Sequence, residues 1–301
     1  MNRIPYEAER KVQANGIEIA YDSFGDPHDP PLILIMGFTM QMIAWDEDFC
    51  RGLASRGYWV IRFDNRDVGH STWLEEAGVP NLQEVGLALF QGKTPRAPYL
   101  LLDMARDVIA LLDNLQIETA HLVGMSMGGM IAQTLAIHFP ERVRTLTSQS
   151  STPWSFDPGL GRPTPEAQEV LVKPIPTDRD RFVEASVRAW QVIGGPHMPA
   201  GESLLRRRAE RFHERGVCLP GLARQMAAII ASGSRRETLR GIRIPTLVLH
   251  GDADPLVPPD HARATSEAVS AARLHFVKGM GHEVPPAAWD ELIHEISTHA
   301  R

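Results

Sequence analysis

A chain of 301 residues with 43% hydrophobic content can bury a full core, and it fits one domain with an insertion better than two independent domains. A formal charge of -6 gives no reason to expect nucleic acid as a partner, no run approaches the ~18 apolar residues of a membrane span, and Met1 to Glu7 lacks the apolar core of a secretory leader. With only Cys50 and Cys218, far apart, a disulfide framework is excluded; reduced thiols without a catalytic part and a cytoplasmic location are expected.

In chain order, Val12 to Ile19 reads as a hairpin, because Asn15-Gly16 supplies the two positive φ angles of a tight I′ turn. Leu32 to Met36 and Trp59 to Asp64 read as strands. Trp73 to Pro98 is a long connection, read either as a lid or as a small helix packed on the insertion. Met104, Val108, Leu111 and Leu115 share one helix face, and Ala120 to Val123 reads as a short buried strand. A helix with Met130, Ile131, Leu135 and Ile137 follows and is ended by Pro140. From Pro153 to Arg240 the alternation breaks: Pro and Gly come first, then helical pieces near Arg181 to Ile193, Leu204 to Glu214 and Leu222 to Ser232. Arg243 to His250 and Arg273 to Val277 are the last strands expected, and a structural helix closes the chain. The pattern predicts an α/β fold: a mostly parallel central sheet flanked by helices, with residues 1-152 and 241-301 as core and 153-240 as a helical cap. The cap segment holds fourteen Lys/Arg and ten Asp/Glu, a surplus that either favours an anionic substrate or, more commonly, solvates helix faces.

Between the buried strand and its helix stands Gly124-Met125-Ser126-Met127-Gly128. A sharp strand-to-helix turn brings backbones together, so the flanking positions need glycine and Ser126 is presented for attack. A serine hydroxyl needs a base to take its proton and an acid to hold that base. The turn Gly251-Asp252-Ala253-Asp254 offers two acids, and Gly279-Met280-Gly281-His282 offers a glycine-flanked histidine, giving the order Ser, Asp, His. Other matches carry less. Gly86 to Thr94 ends like a phosphate-binding loop but has one residue too many and follows no strand; His294 and His299 are five apart and do not share a helix face. His70 and His121 read as ordinary polar or core residues.

With Leu34-Ile35-Met36-Gly37 and Phe63-Asp64-Asn65-Arg66-Asp67, Gly69 and Ser71 added, the chain resembles the α/β-hydrolase serine esterases, in particular the aclacinomycin methylesterase-like group. The resemblance implies Ser126 as nucleophile, His282 as general base and then acid, and Asp254 as orienting carboxylate, because the family's G-x-x-D pattern counted from Gly251 lands there; Asp252 is the rival. It implies backbone N–H groups of Phe38 and Met127 as the oxyanion hole. Met36 departs from the His-Gly of many relatives and removes a polar ring that braces this loop. Asp67 stands where relatives often have Gly; with Asp64 and Arg66 it reads as structural. Trp45, Met42, Phe38 and Trp154 are candidates for an apolar substrate pocket, against ordinary core packing. The implied activity is hydrolysis of small to medium carboxylic esters through an acyl-enzyme, with no metal or organic cofactor. A cofactor-free perhydrolase or haloperoxidase, a lactonase, and a non-catalytic binding module are the alternatives.

Overall fold

The computed structural model describes residues 4–301, so the part of the leader reading that rests on Met1 to Arg3 lies outside the described residues. Among them, eight strands form one sheet: β1 (Tyr6–Ala14), β2 (Ile17–Phe24), β3 (Pro31–Ile35), β4 (Trp59–Phe63), β5 (Ala120–Met125), β6 (Val143–Gln149), β7 (Thr246–Gly251) and β8 (Ala272–Val277). Their spatial order is β1-β2-β4-β3-β5-β6-β7-β8, antiparallel from β1 to β4 and parallel from β4 to β8. Asn15 (φ 52°) and Gly16 (φ 81°) make the turn of the β1–β2 hairpin, as the Asn-Gly pair predicts.

The helices are α1 (Glu47–Ala54), α2 (Leu82–Phe90), α3 (Leu101–Asn114), α4 (Met127–His138), α5 (Pro165–Val172), α6 (Arg179–Ile193), α7 (Glu202–Glu214), α8 (Leu219–Ala231), α9 (Arg236–Leu239), α10 (Pro259–Ala268) and α11 (Trp289–His299). Alternation along the strands splits the core. Ile33, Ile35 and Ile61 face a layer built with α3 and α4, while Leu32, Leu34 and Val60 face α1 and α11. Short polar side chains start several helices by taking a free backbone N–H: Asp46 for α1, Asn81 for α2, Thr164 for α5 and Asp178 for α6. No helix among the described residues is long and apolar enough to cross a membrane.

The sequence reading passes over β6, α1, α5 and α10. Strand β6 is central yet carries Thr145, Thr147, Ser148 and Gln149, all buried, so it lacks an apolar run. Two of these polar groups are satisfied inside the sheet region: Ser148 Oγ accepts from Gln133 Nε2 at 3.0 Å, and Thr145 Oγ1 lies 3.0 Å from His121 Nδ1. His121 also meets the Tyr58 ring edge-on, and burial holds its pKa down at about 4. In the Trp73 to Pro98 connection, α2 buries Val85 against Ala227 and Ile230 of α8, the small-helix alternative.

The charge surplus of the segment between β6 and β7 has a different use from the two readings above. Arg206 and Arg188 do pair on the surface with Glu202 and Glu184. Arg208, Arg224 and Arg235, however, are buried, and Arg215 nearly so. Arg208 pairs with Glu283, and Arg215 with Asp64 and Glu9. Arg224 grips Asp67 through two bonds of 2.8 and 2.6 Å. Asp67 has φ 66°, the left-handed conformation that favours glycine, and its carboxylate also accepts from Tyr99 Oη at 2.7 Å and Leu74 N at 2.8 Å. The acid thus keeps a glycine's backbone and adds an anchor for α8.

Removing one partner of such a pair strands the other charge in a dry site. Arg224→Met is expected to destabilise the fold by about 3–5 kcal/mol in urea unfolding, with Asp67→Gly/Arg224→Met recovering part of the loss. As pH falls below 6.5, the unfolded chain takes up a proton that buried His121 refuses until about pH 4, so this ring makes stability fall across that window. His121→Phe is expected to flatten the decline, measured by unfolding at several pH values.

Candidate active site

The elbow after β5 is fixed by backbone contact. A Cβ on Gly124 would collide with the Gly128 carbonyl, and one on Gly128 with the carbonyl of Ile35. Ser126 is held at φ 56° and ψ -121°, outside the ordinary regions. Its N–H donates to Gln149 O at 2.9 Å, and its C=O accepts from Ser151 Oγ at 2.7 Å and Met130 N at 3.1 Å. Those bonds over-determine the strained residue and leave its side chain only half-buried at the start of α4.

Asp254 and His282 stand beyond the carboxyl ends of β7 and β8, two and three places along the sheet from β5. His282 Nδ1 lies 2.8 Å from Asp254 Oδ2. A carboxylate can only accept, so Nδ1 donates in this bond, and in the neutral ring Nε2 is then the nitrogen with the lone pair. The other oxygen, Oδ1, accepts from Leu256 N at 2.9 Å and Val257 N at 2.8 Å, which aims Oδ2 at the imidazole. Asp252 is exposed, and its Oδ1 accepts from Gly279 N at 2.6 Å. It therefore closes the turn before the histidine and does not touch it. Among the described residues no hydrogen bond joins Ser126 Oγ to His282; the two are brought to the same edge of the sheet, and Asp254 and His282 are brought into contact.

The loop after β3 lies against the elbow. A Cβ on Gly37 would come to 3.0 Å from Ser126 Cβ and 3.6 Å from its Oγ. Neighbouring amides are engaged: Ser126 N with Gln149 O, Thr39 N with Gln225 Oε1 and Met40 N with Gly37 O. The N–H groups of Phe38 and Met127 have no protein acceptor among the described residues. They are donors without partners beside the serine.

The proposed pocket residues fare differently. Trp45 is fully buried and stacks on Phe49, whose ring tilts against Trp289, and Met42 belongs to the same apolar layer. Both are spent on core packing, Trp45 against Phe49 of α1 and Met42 in the same buried layer, so neither is carried forward as a pocket wall. Trp154 is half-buried, with its ring edge toward Phe156, and Phe38 is half-buried at the loop.

Two residues near the pair escaped the sequence reading. His250 donates from Nε2 to Val257 O at 2.8 Å and sits 3.5 Å from Asp254 Oδ2; burial lowers its pKa, so it stays neutral behind the acid. Glu283 follows His282 and pairs with Arg208 at 3.1 Å, its pKa raised by burial. The backbone N–H of His282 itself donates to Ile193 O, at the end of α6, at 2.7 Å.

The unequal placement of the two acids yields a direct comparison. Asp254→Asn is expected to lower kcat by about 10³-fold or more, since it disturbs the imidazole tautomer. Asp252→Asn is expected to leave kcat within about threefold, with p-nitrophenyl butyrate hydrolysis as the measurement.

A family model for the alpha/beta hydrolase fold matches residues 30–285. The rhodomycin D methylesterases DauP of Streptomyces sp. (strain C5) and DnrP of Streptomyces peucetius are each 29% identical over 317 residues, covering 97% of this chain and 98% of the relative. Both agree with the aclacinomycin methylesterase-like resemblance. Among solved structures, 2-hydroxy-6-oxo-6-phenylhexa-2,4-dienoate hydrolase (BphD) from Rhodococcus sp. strain RHA1 superimposes with a TM-score of 0.77 at 19% identity, covering 99% of both chains. The match to more than half the chain, on top of the parallel sheet and the serine elbow, places this protein in the alpha/beta hydrolase fold family.

Proposed function

We propose that this hydrolase is a serine carboxylesterase acting on small to medium carboxylic esters, with Ser126 as nucleophile, His282 as base and Asp254 as the acid that orients it. The esterase relatives and the family support ester hydrolysis. The observation that carries the serine route is the 2.8 Å Asp254–His282 bond, which leaves Nε2 as the ring's free acceptor at the same sheet edge as the serine elbow.

In this reading Ser126 Oγ attacks the ester carbonyl while His282 Nε2 takes its proton. The carbonyl oxygen gains charge and accepts from the Phe38 and Met127 amides; losing one such donor costs about 3–4 kcal/mol of transition-state stabilisation. His282 then protonates the departing alcohol. Water, deprotonated by the same ring, releases the acid and restores Ser126. The helices between Pro153 and Arg240 act as the cap: α6 reaches the His282 backbone and α8 reaches the Phe38 loop. Methyl esters are the substrate class suggested by the methylesterase relatives.

Ser126→Ala is expected to abolish turnover of p-nitrophenyl acetate and butyrate while leaving thermal unfolding within a few degrees of the parent. Unchanged turnover would overturn the assignment. A panel of esters graded by acyl length, with an aromatic methyl ester, a lactone and a peracid assay, separates the esterase from lactonase or perhydrolase chemistry on the same residues.

A further inference from the structure

The turn that presents the Phe38 amide is strained and held from outside. Met40 N donates to Gly37 O at 3.2 Å, closing a β-turn whose third residue, Thr39, has φ 59°. Turns with positive φ there favour Gly or Asn, and a β-branched residue is a genuine outlier. Such a conformation persists only where the surroundings over-determine it. Met36 offers no polar group to do so, although its C=O accepts from Asn65 Nδ2 at 2.9 Å.

The missing support comes from helix α8. Gln225 is completely buried; its Oε1 accepts from Thr39 N at 2.8 Å, and its Nε2 donates to Arg66 O at 3.0 Å. Thr39 offers a donor and Arg66 an acceptor, so the amide fits in one orientation only. Its helix is itself fixed: Arg224 grips Asp67, and Gly221 lies so close that a Cβ would stand 2.6 Å from Asp67 Cβ. Gln41, two residues past Thr39, donates to Phe212 O at 2.8 Å and Gly216 O at 2.9 Å at the end of α7.

We infer that Gln225 is a positioning residue for the oxyanion hole, pinning the Gly37–Met40 turn through Thr39 N so that the Phe38 N–H faces the reacting carbonyl. The inference rests on the serine-esterase reading above. It makes the insertion a working part of the transition-state site as well as a boundary for substrate.

The test compares Gln225→Met, which keeps the volume and loses both bonds, with Gln225→Glu, which keeps the acceptor for Thr39 N. Gln225→Met is expected to lower kcat for p-nitrophenyl butyrate by about 10- to 100-fold, with KM within about threefold, and to weaken an aryl trifluoromethyl ketone inhibitor by the same factor as kcat/KM. Gln225→Glu is expected to retain kcat within about fivefold. Adding Thr39→Gly to Gln225→Met, which lets the turn hold positive φ without strain, is expected to recover at least about threefold in kcat. If Gln225→Met does not fold, Gln225→Asn, one methylene too short to reach both partners, is read the same way. Labelling by a fluorophosphonate reports the serine separately. Labelled variants with unchanged kcat and ketone affinity, or a loss confined to KM, overturn the role of Gln225; a parent enzyme that takes no label overturns the esterase reading and this inference with it.

Discussion

Helix α4 begins so close to strand β3 that one methyl group on Gly128 would strike the Ile35 carbonyl. That closeness sets the position of the proposed nucleophile. It puts the strained Ser126 at the tip of β5, directly beside Gly37 of the loop that leaves β3, and among the described residues the first amide of α4 has no protein acceptor. The proposed nucleophile and oxyanion donors therefore meet at a single packing contact. The imidazole and its carboxylate are added at the same edge of the sheet by the turns after β7 and β8.

Much of this was legible because it is local. A strand, a glycine-bracketed serine and a helix leave a pattern between Ala120 and His138, and the acid and histidine turns each follow a strand. The Asn15-Gly16 hairpin was legible for the same reason. What stayed hidden depends on distant partners. Strand β6 is polar on paper because its neighbours β5 and β7, not its own side chains, carry its stability. Trp45 looked available for substrate because its sequence position is near the loop after β3; in the fold it stacks on Phe49, whose own ring meets Trp289 at the start of α11. Gln225 offers no local signal at all. Asp67 alone hinted at the tertiary link, by standing where a glycine belongs.

The buried arginines show how the insertion is attached. Apolar contact holds helix to helix, but it is weakly directional. Arg208, Arg215 and Arg224 each need a carboxylate in one geometry, and those carboxylates, Glu283, Asp64 and Asp67, sit beside His282 and in the turn after β4. Ion pairs of this kind add little net stability compared with well-packed apolar replacements, yet breaking one is costly. These three pairs and the bonds from α6 and α8 to the His282 and Thr39 amides join the segment between β6 and β7 to the loops at the edge of the sheet.

One practical limit on exchanging modules between relatives follows. An insertion borrowed from a member of the fold that lacks guanidinium groups at these three places would leave Asp64, Asp67 and Glu283 buried without their partners in the recipient. A chimera would have to transplant the acids together with the helices. The chain can be altered one side chain at a time far more readily than it can be cut and rejoined at Pro153 and Arg240.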